Sequence, residues 1–201
     1  MRIRQAGRSA LLLECADAAE TDAWRAEVWR RRETGELAVT DIVPGARTVL
    51  LDGVAPAAAT AIAGWAPAVG RAEQDAPLVE IPATFDGDDL PDVAARWRMP
   101  IADAVARLVG TPLSVAFCGF APGFAYLRGL DPAWAVPRLD APRPRVPAGS
   151  IALAGNYAGI YPSASPGGWR LVGRTTRTLF DIRREPPALL TPGTRVRLVC
   201  A

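Results

Sequence analysis

Histidine and lysine are both absent from the sequence, so all 23 basic residues are arginine. Without histidine, the chain cannot by itself form a Ser-His-Asp or Cys-His catalytic group or a histidine-ligated zinc site. Without lysine, it has no Schiff-base residue and no lysine for a phosphate-binding loop. A general acid or base must therefore be an aspartate, a glutamate or a tyrosine, or must come from another chain.

Cysteine is scarce and long apolar runs are missing. Cys15, Cys118 and Cys200 are widely spaced and odd in number, which indicates reduced thiols in a cytoplasmic protein. The apolar run near the N-terminus covers only Ala10 to Leu13, so neither a signal peptide nor a membrane span is predicted. The net charge of +2 favours neither nucleic acid nor a membrane as a partner. No cluster of metal-ligating residues is evident, and no metal site is predicted.

The first third of the chain alternates short apolar segments with two helical segments. The predicted order is strand, strand, helix, strand, strand, helix, strand, with turn residues such as Pro44-Gly45 between elements. This order predicts a small ferredoxin-like α+β sandwich with helices on one face of an antiparallel sheet. A polar, irregular segment at 70–77 predicts a boundary, with an N-terminal domain at 1–76 and a second domain at 77–201.

The second part opens with two predicted helices and continues with many short strands. Asp89 stands before Leu90, and Asp92 follows three residues later, which predicts a capped helix start. From Ile151 onward, short apolar segments are separated by glycine or proline. This pattern is typical of a closed β-barrel rather than a sandwich with long flat edges.

Glycine, proline and aromatic residues are most concentrated between Phe117 and Thr175. Glycine allows left-handed backbone and close approaches, and proline fixes φ. A shaped surface or pocket would need such residues, and a loop-rich β-domain without chemistry would also contain them. Composition alone leaves both interpretations open.

Three motifs in this stretch resemble a known family. They read GFAPGFAYLRGLDP at 119–132, PRPRVPAGSIALAG at 142–155 and GIYPSASPGGWRLVGRT at 159–175. In their residues, order and spacing they resemble the motifs of the family of the B subunit of 5-oxoprolinase. This family is also called KipI-like and was long labelled allophanate hydrolase subunit 1. The apolar segment Thr48 to Asp52 and the Glu80-Ile81-Pro82 motif are similar too, so the resemblance covers essentially the whole chain.

The resemblance implies a fold and an activity. The implied fold is a small N-terminal α/β domain followed by a cyclophilin-like β-barrel. Family members act with the A and C subunits of 5-oxoprolinase to open 5-oxoproline to glutamate, driven by ATP, and are expected to be inactive alone. ATP and Mg²⁺ would then be bound at the level of the complex, since no cofactor site is evident in this chain. Related sequences form part of the carboxyltransferase region of urea carboxylase.

Candidate site residues follow from the matched motifs. Arg145 and Arg174 are expected to hold a carboxylate or phosphate, because arginine binds both in bidentate fashion; the alternative is a salt bridge that orders a loop. Tyr161 and Ser165 could donate hydrogen bonds to a substrate, or could stabilise turns. The remaining residues are expected to shape a groove, a loop or a contact with another protein chain: Gly119, Phe120, Pro122, Gly123, Phe124, Gly149, Gly167, Gly168 and Trp169.

The chain departs from the family after Ile81-Pro82, where it reads Ala83-Thr84-Phe85, and at one further position. Family members commonly carry a histidine at the end of the helix before the Gly-Phe-x-Pro-Gly-Phe motif, where this chain has Val109 or Gly110. That departure keeps two other interpretations open. One is a non-enzymatic regulator whose barrel groove binds a sensor histidine kinase. The other is a subunit of an allophanate- or urea-handling amide hydrolase.

Overall fold

A computed structural model describes residues 1–67 and 76–201. The chain forms two compact units, Met1–Ala76 and Pro77–Ala201. Most of the segment predicted to be irregular, and part of the region predicted to hold the domain boundary, lie outside the described residues.

The first unit is an antiparallel sheet with two helices. Its elements are β1 (Arg2–Gln5), β2 (Ala10–Glu14), α1 (Ala18–Glu33), β3 (Asp41–Pro44), β4 (Thr48–Asp52) and α2 (Ala58–Ala63). The strand order is β1-β2-β4-β3. Helix α1 connects β2 to β3, and β4 lies antiparallel between them. This split β-α-β arrangement is the ferredoxin-like feature predicted from the sequence.

Alternation along the strands explains the core of this unit. Leu11 and Leu13 of β2 and Val49 and Leu51 of β4 are buried, as expected when successive side chains point to opposite faces of a sheet. They pack in one cluster with residues of both helices, namely Trp24, Val28 and Ile62.

The second unit contains nine strands and two helices among its described residues. They are β5 (Leu78–Ala83), α3 (Leu90–Arg96), α4 (Ile101–Gly110), β6 (Leu113–Cys118), β7 (Ala125–Arg128), β8 (Arg143–Val146), β9 (Ser150–Ala154), β10 (Tyr157–Ile160), β11 (Ser165–Gly167), β12 (Arg170–Arg174) and β13 (Arg195–Cys200). A short 3-10 helix covers Pro132–Trp134.

Seven of these strands form one curved sheet in the order β12-β9-β10-β7-β6-β13-β5. Its two edge strands meet where Thr84, next to β5, pairs with Arg174 of β12. The Thr84 N–H donates to the Arg174 carbonyl at 2.9 Å, and the Arg174 N–H donates back at 2.8 Å. The sheet is therefore nearly closed, which confirms the predicted α+β fold with a barrel. The pair β8 and β11 forms a separate two-stranded sheet.

The barrel core is apolar and includes the two helices. Val115, Leu127, Leu153 and Leu198 of the strands cluster with Leu108 of α4, and all are buried. Burying a side chain of this size contributes roughly 1.5–3 kcal/mol. Across residues 1–67 and 76–201, no helix has the length and apolar character that crossing a membrane requires.

The start of α3 differs from the sequence prediction. Asp89 is the N-terminal flanking residue of α3, but its side chain makes no capping hydrogen bond to the helix. One carboxylate oxygen accepts from Arg143 Nη2 at 2.8 Å, and the other accepts from the buried Leu171 N–H at 2.7 Å. The predicted capping role is wrong because partners distant in sequence take both oxygens. Asp89 instead joins α3 to β8 and β12.

Candidate functional site

The loop from Gly119 to Phe124 connects β6 to β7 and presents one aromatic side chain to solvent. Phe120 has a left-handed backbone (φ 69°) and is 62% exposed. Such a conformation is uncommon for a residue other than glycine and often accompanies functional loops. Pro122 is exposed beside it, and Gly119 and Gly123 flank the turn, with Gly123 also at positive φ.

The other aromatic residues of the predicted groove lie in the core. Phe124, Tyr161 and Trp169 are buried, and the Phe124 ring contacts the other two edge-on at centroid distances of 5.2 and 5.5 Å. Phe120 packs edge-on against Phe124 at 5.3 Å. At this face, Phe120 is therefore the ring available to a partner, and the three rings beneath it support its loop.

The Tyr161 hydroxyl faces protein rather than solvent. Tyr161 is only 1% exposed, and this burial raises the pKa of its hydroxyl above the usual value, against the opposing effect of a hydrogen bond with the Trp169 backbone. A Cβ on Gly167 would lie 2.2 Å from the Tyr161 hydroxyl oxygen, so only glycine fits there without a shift. Gly168 has ordinary contacts, and its carbonyl accepts from the Leu139 N–H at 2.8 Å.

Ser165 begins β11 and pairs with Val146 of β8. Its Oγ is buried and has no hydrogen-bond partner among the described residues. The same holds for Nη1 of Arg143, at the other end of β8. Ser165 thus belongs to the two-stranded sheet, and it is not among the residues that line the cavity containing Arg174.

The two predicted arginines occupy different places. Arg145 is exposed on β8, and its side chain has no ion pair or hydrogen bond within the described part of the chain. Arg174 ends β12, and its Nε donates to Asp86 Oδ2 at 2.8 Å. Both partners of this ion pair are exposed, 66% for the Arg174 side chain and 45% for Asp86. Such exposed pairs contribute about 0–1 kcal/mol, so a ligand can displace Asp86 at little cost.

Arg174 lines a cavity of about 440 Å³ in the second unit, called here the arginine cavity. Its wall is formed by the end of β12 with the following segment 175–178, by the turn before β9, and by the ends of β5 and β13. The residues with polar side chains in this wall are Thr84, Arg174, Thr175, Thr176, Arg177 and Thr178. An adjoining depression of about 490 Å³ shares Pro82, Thr176, Arg177 and Thr178 and adds Arg184.

Gly149 shapes the wall of the arginine cavity. Its N–H donates to the Tyr161 carbonyl at 2.7 Å, and its carbonyl accepts from the Thr175 N–H at 2.9 Å. Gly149 has φ of 80°, and a Cβ there would lie 2.1 Å from the Thr175 carbonyl oxygen. Because that neighbour is backbone, only glycine allows this close approach.

The chemistry of the cavity is that of an anion site. Guanidinium groups and threonine hydroxyls bind carboxylate or phosphate oxygens. The sequence supplies no histidine or lysine, and within residues 1–67 and 76–201 no group of three or more His, Cys, Asp and Glu could hold a metal ion. The cavity can therefore hold and orient an anion, whereas acid–base groups would have to come from carboxylates or from another chain.

Sequence reasoning missed Arg177, Arg184 and Asp86. Arg177 lies just beyond the third matched motif, which ends at Thr175, and Asp86 is 88 residues away from its partner Arg174. The run Arg-Thr-Thr-Arg-Thr at 174–178, rich in hydroxyl and guanidinium groups, was the one local signal.

Cys118 lies near the Gly119 loop but has the environment of a structural thiol. Its Sγ donates to the Leu190 carbonyl at 3.4 Å, and burial raises the pKa of the thiol to about 11. The thiolate needed for nucleophilic attack is therefore scarce at neutral pH.

Comparisons with known proteins agree on one family. The family described as carboxyltransferase domain, subdomain C and D, matches residues 1–190. The chain is 36% identical to a protein of Escherichia coli named as the B subunit of 5-oxoprolinase, over 96% of this chain and 93% of that protein.

Solved structures extend the comparison. TTHA0988 is 32% identical, with a TM-score of 0.79 over 96% of this chain. This chain covers 40% of TTHA0988, less than half of that longer protein. The urea carboxylase of Kluyveromyces lactis has a TM-score of 0.71 at 20% identity; the match covers 99% of this chain and 21% of that enzyme. At that identity the likeness shows the fold alone.

Proposed function

The chain belongs to the carboxyltransferase subdomain C and D family, and on this premise we propose that it is one subunit of an ATP-dependent 5-oxoprolinase. In this proposal it acts with the A and C subunits of that enzyme to open 5-oxo-L-proline to L-glutamate. The family resemblance predicted from the three motifs is confirmed by the family match and by the relatives named as the B subunit of 5-oxoprolinase.

The near full-length similarity to the Escherichia coli protein carries the proposal. The matched region is 96% of this chain, so it includes both compact units. The name of that relative, a B subunit, implies a complex with other subunits. The cytoplasm is the proposed location, and the three free cysteines are consistent with a reducing compartment.

The reaction explains why partner chains are needed. A lactam is a stable amide, and ATP can activate it by phosphorylating the amide oxygen or by an equivalent step. Stabilising that transfer requires phosphate-binding amides, positioned positive charge and Mg²⁺. This sequence has no phosphate-binding loop and no lysine. We therefore place ATP and Mg²⁺ with the complex, and assign to this chain one wall of a shared site that includes Arg174.

Reconstitution with each subunit omitted in turn tests the proposal. Glutamate release from 5-oxo-L-proline with ATP and Mg²⁺ is expected only when this chain and both partner subunits are present. Activity without this chain would overturn the proposal. A stable complex of all three subunits that releases no glutamate would also count against it. That result would shift support to a kinase-binding regulator or to part of a hydrolase that acts on allophanate or urea.

A further inference from the structure

We propose that the arginine cavity binds the carboxylate of a small organic acid, with Arg177 as its main anchor and Asp86 as a displaceable counter-ion of Arg174. The inference rests on the proposed function, in which that acid is 5-oxo-L-proline. In this assignment Arg177 is a binding residue, and the substrate carboxylate lies in the arginine cavity.

The charge of the cavity is the first argument. Arg174 and Arg177 line it, Arg184 lines the adjoining depression, and among the described residues neither lining includes an aspartate or glutamate side chain. The Arg177 side chain makes no ion pair or hydrogen bond with any residue in 1–67 or 76–201, and it is exposed to the cavity. An unpaired guanidinium in a concave site favours an anionic ligand, because it offers a planar pair of donors that matches a carboxylate.

A third arginine beside the cavity is the second argument. Arg184 is half-buried, and its Nη2 donates to the Thr178 carbonyl at 3.1 Å. Its Nε is buried and lacks a hydrogen-bond acceptor among the described residues. An atom this buried is out of reach of a ligand in the open depression, so Arg184 contributes positive charge to this edge of the cavity rather than a free donor.

The size and the apolar walls favour a small acid over a nucleotide. The cavity volume of about 440 Å³ is typical of small-molecule sites. Pro82, Ala148 and Pro162 supply apolar wall area next to the arginines, which suits a compact carbon ring carrying one carboxylate. A triphosphate usually needs a glycine-rich loop with a lysine, and this sequence contains no lysine.

Arg174 is held in place by its backbone and restrained by a weak side-chain contact. Its N–H and carbonyl both pair with Thr84, which fixes the position of the residue at the barrel closure. Its side chain contacts Asp86 through Nε in an exposed ion pair. Removing Asp86 would free Arg174 for the ligand, so Asp86→Asn is expected to tighten acid binding.

An NMR titration of the full chain tests the site directly. We would add 5-oxo-L-proline, its uncharged carboxamide, or inorganic phosphate to the ¹⁵N-labelled protein. 5-Oxo-L-proline is expected to shift the amide signals of Gly149 and 175–178, and the carboxamide to shift them far less. Arg177→Ala is expected to weaken binding at least about tenfold, which corresponds to about 1.4 kcal/mol. Arg183→Ala is the control, because Arg183 is an exposed arginine that pairs with Asp181 and does not line the cavity.

The possible results separate this inference from the proposed function. Phosphate binding as tightly as the acid, at the same amides, would overturn the carboxylate assignment. An active complex in which Arg177→Ala leaves the KM for 5-oxo-L-proline unchanged would overturn the inference and leave the proposed function standing. Acid binding at this site with no turnover in any reconstituted complex would support the site and contradict the proposed function. If 5-oxo-L-proline shifts no amide signals and the wild-type complex is also inactive, both the carboxylate site and the proposed function are contradicted.

Discussion

Replacing Asp89 with alanine should destabilise the barrel unit strongly, because Asp89 is a buried carboxylate that joins two strands. Asp89 is 9% exposed, and its carboxylate holds Arg143 of β8 and the N–H of Leu171 in β12. The substitution removes both acceptors and leaves the Leu171 N–H buried without a partner. It also leaves Arg143 without its counter-ion.

The expected loss follows from these two contacts. An unsatisfied buried N–H costs about 1–3 kcal/mol. Removing one partner of a fully buried ion pair costs about 3–5 kcal/mol, but the Arg143 side chain is 25% exposed, so water offsets part of that cost. Together we expect Asp89→Ala to lower the free energy of unfolding by about 3 kcal/mol. Asp89→Asn should cost less, since its amide oxygen can still accept from Leu171.

Urea unfolding followed by circular dichroism and tryptophan fluorescence measures this loss. Asp88→Ala is the control, because Asp88 is exposed and makes no hydrogen bond among the described residues. A double-mutant cycle with Arg143→Met isolates the ion pair, and a coupling of about 1–2 kcal/mol is expected between contacting residues. Surface substitutions usually change the free energy of unfolding by no more than about 0.5 kcal/mol. If the value for Asp89→Ala lies that close to wild type, the structural role assigned to Asp89 is refuted.

Three further predictions concern the site, acid stability and thiol reactivity. Gly149→Ala should lower the free energy of unfolding by at least about 1–2 kcal/mol, because Gly149 has a left-handed backbone. The same variant should bind 5-oxo-L-proline more weakly. An unchanged urea midpoint and an unchanged affinity would contradict these expectations. The hydrogen bond from Arg96, helped by the charge of Arg170, lowers the pKa of Asp92 in the folded state. The stabilisation that ionised Asp92 provides is therefore complete above the unfolded pKa of about 4, and it is lost as the pH falls through the lower folded pKa. The difference in unfolding free energy between wild type and Asp92→Asn should therefore shrink on acidification. If the difference between their urea midpoints stays the same at every pH, the prediction is wrong. Exposed Cys200 should react with a thiol reagent faster than partly buried Cys118, because burial raises the pKa of the Cys118 thiol to about 11. Equal rates in the native protein would contradict this difference in environment.

Local pattern was enough to predict the architecture of both units. Short apolar segments between turn residues predict the strands of the first sheet and of the barrel. The buried faces of β2 and β4 follow only from the structure, because both strands carry runs of apolar residues. The closure itself was not predictable, because the pairing of Thr84 with Arg174 joins residues 90 positions apart. No periodicity within one segment encodes such a contact.

In the candidate site, too, the local sequence suggests candidate residues and tertiary packing decides their positions. Arg145 and Arg174 look equivalent in sequence, since each lies in a short strand of a matched motif. The fold leaves Arg145 outside the arginine cavity and places Arg174 in its wall. Tyr161 reads as a possible hydrogen-bond donor, yet close packing of Phe124 and Gly167 around it directs its hydroxyl into the core. Residue type indicates anion binding, which stays a prediction, and tertiary packing decides which of the candidate residues line the cavity.

Asp89 illustrates why a motif can mislead. Its spacing to Asp92 fits a helix start, but a local capping bond competes with every other donor that can reach the carboxylate. Here a guanidinium and a buried N–H from two separate strands take both oxygens. The charged Arg143 donor makes a stronger hydrogen bond than a neutral helix N–H. The Leu171 N–H is buried and therefore needs an acceptor, which accounts for the second oxygen.

The most direct test of the account is glutamate release by the reconstituted complex of all three subunits carrying Arg174→Ala. If this chain supplies one wall of a shared site, the variant complex should assemble with wild-type stoichiometry and release glutamate at least about tenfold less efficiently, as kcat/KM for 5-oxo-L-proline. The Arg183→Ala complex should match wild type. Full activity in the correctly assembled Arg174→Ala complex would contradict the claim that the arginine cavity belongs to the active site.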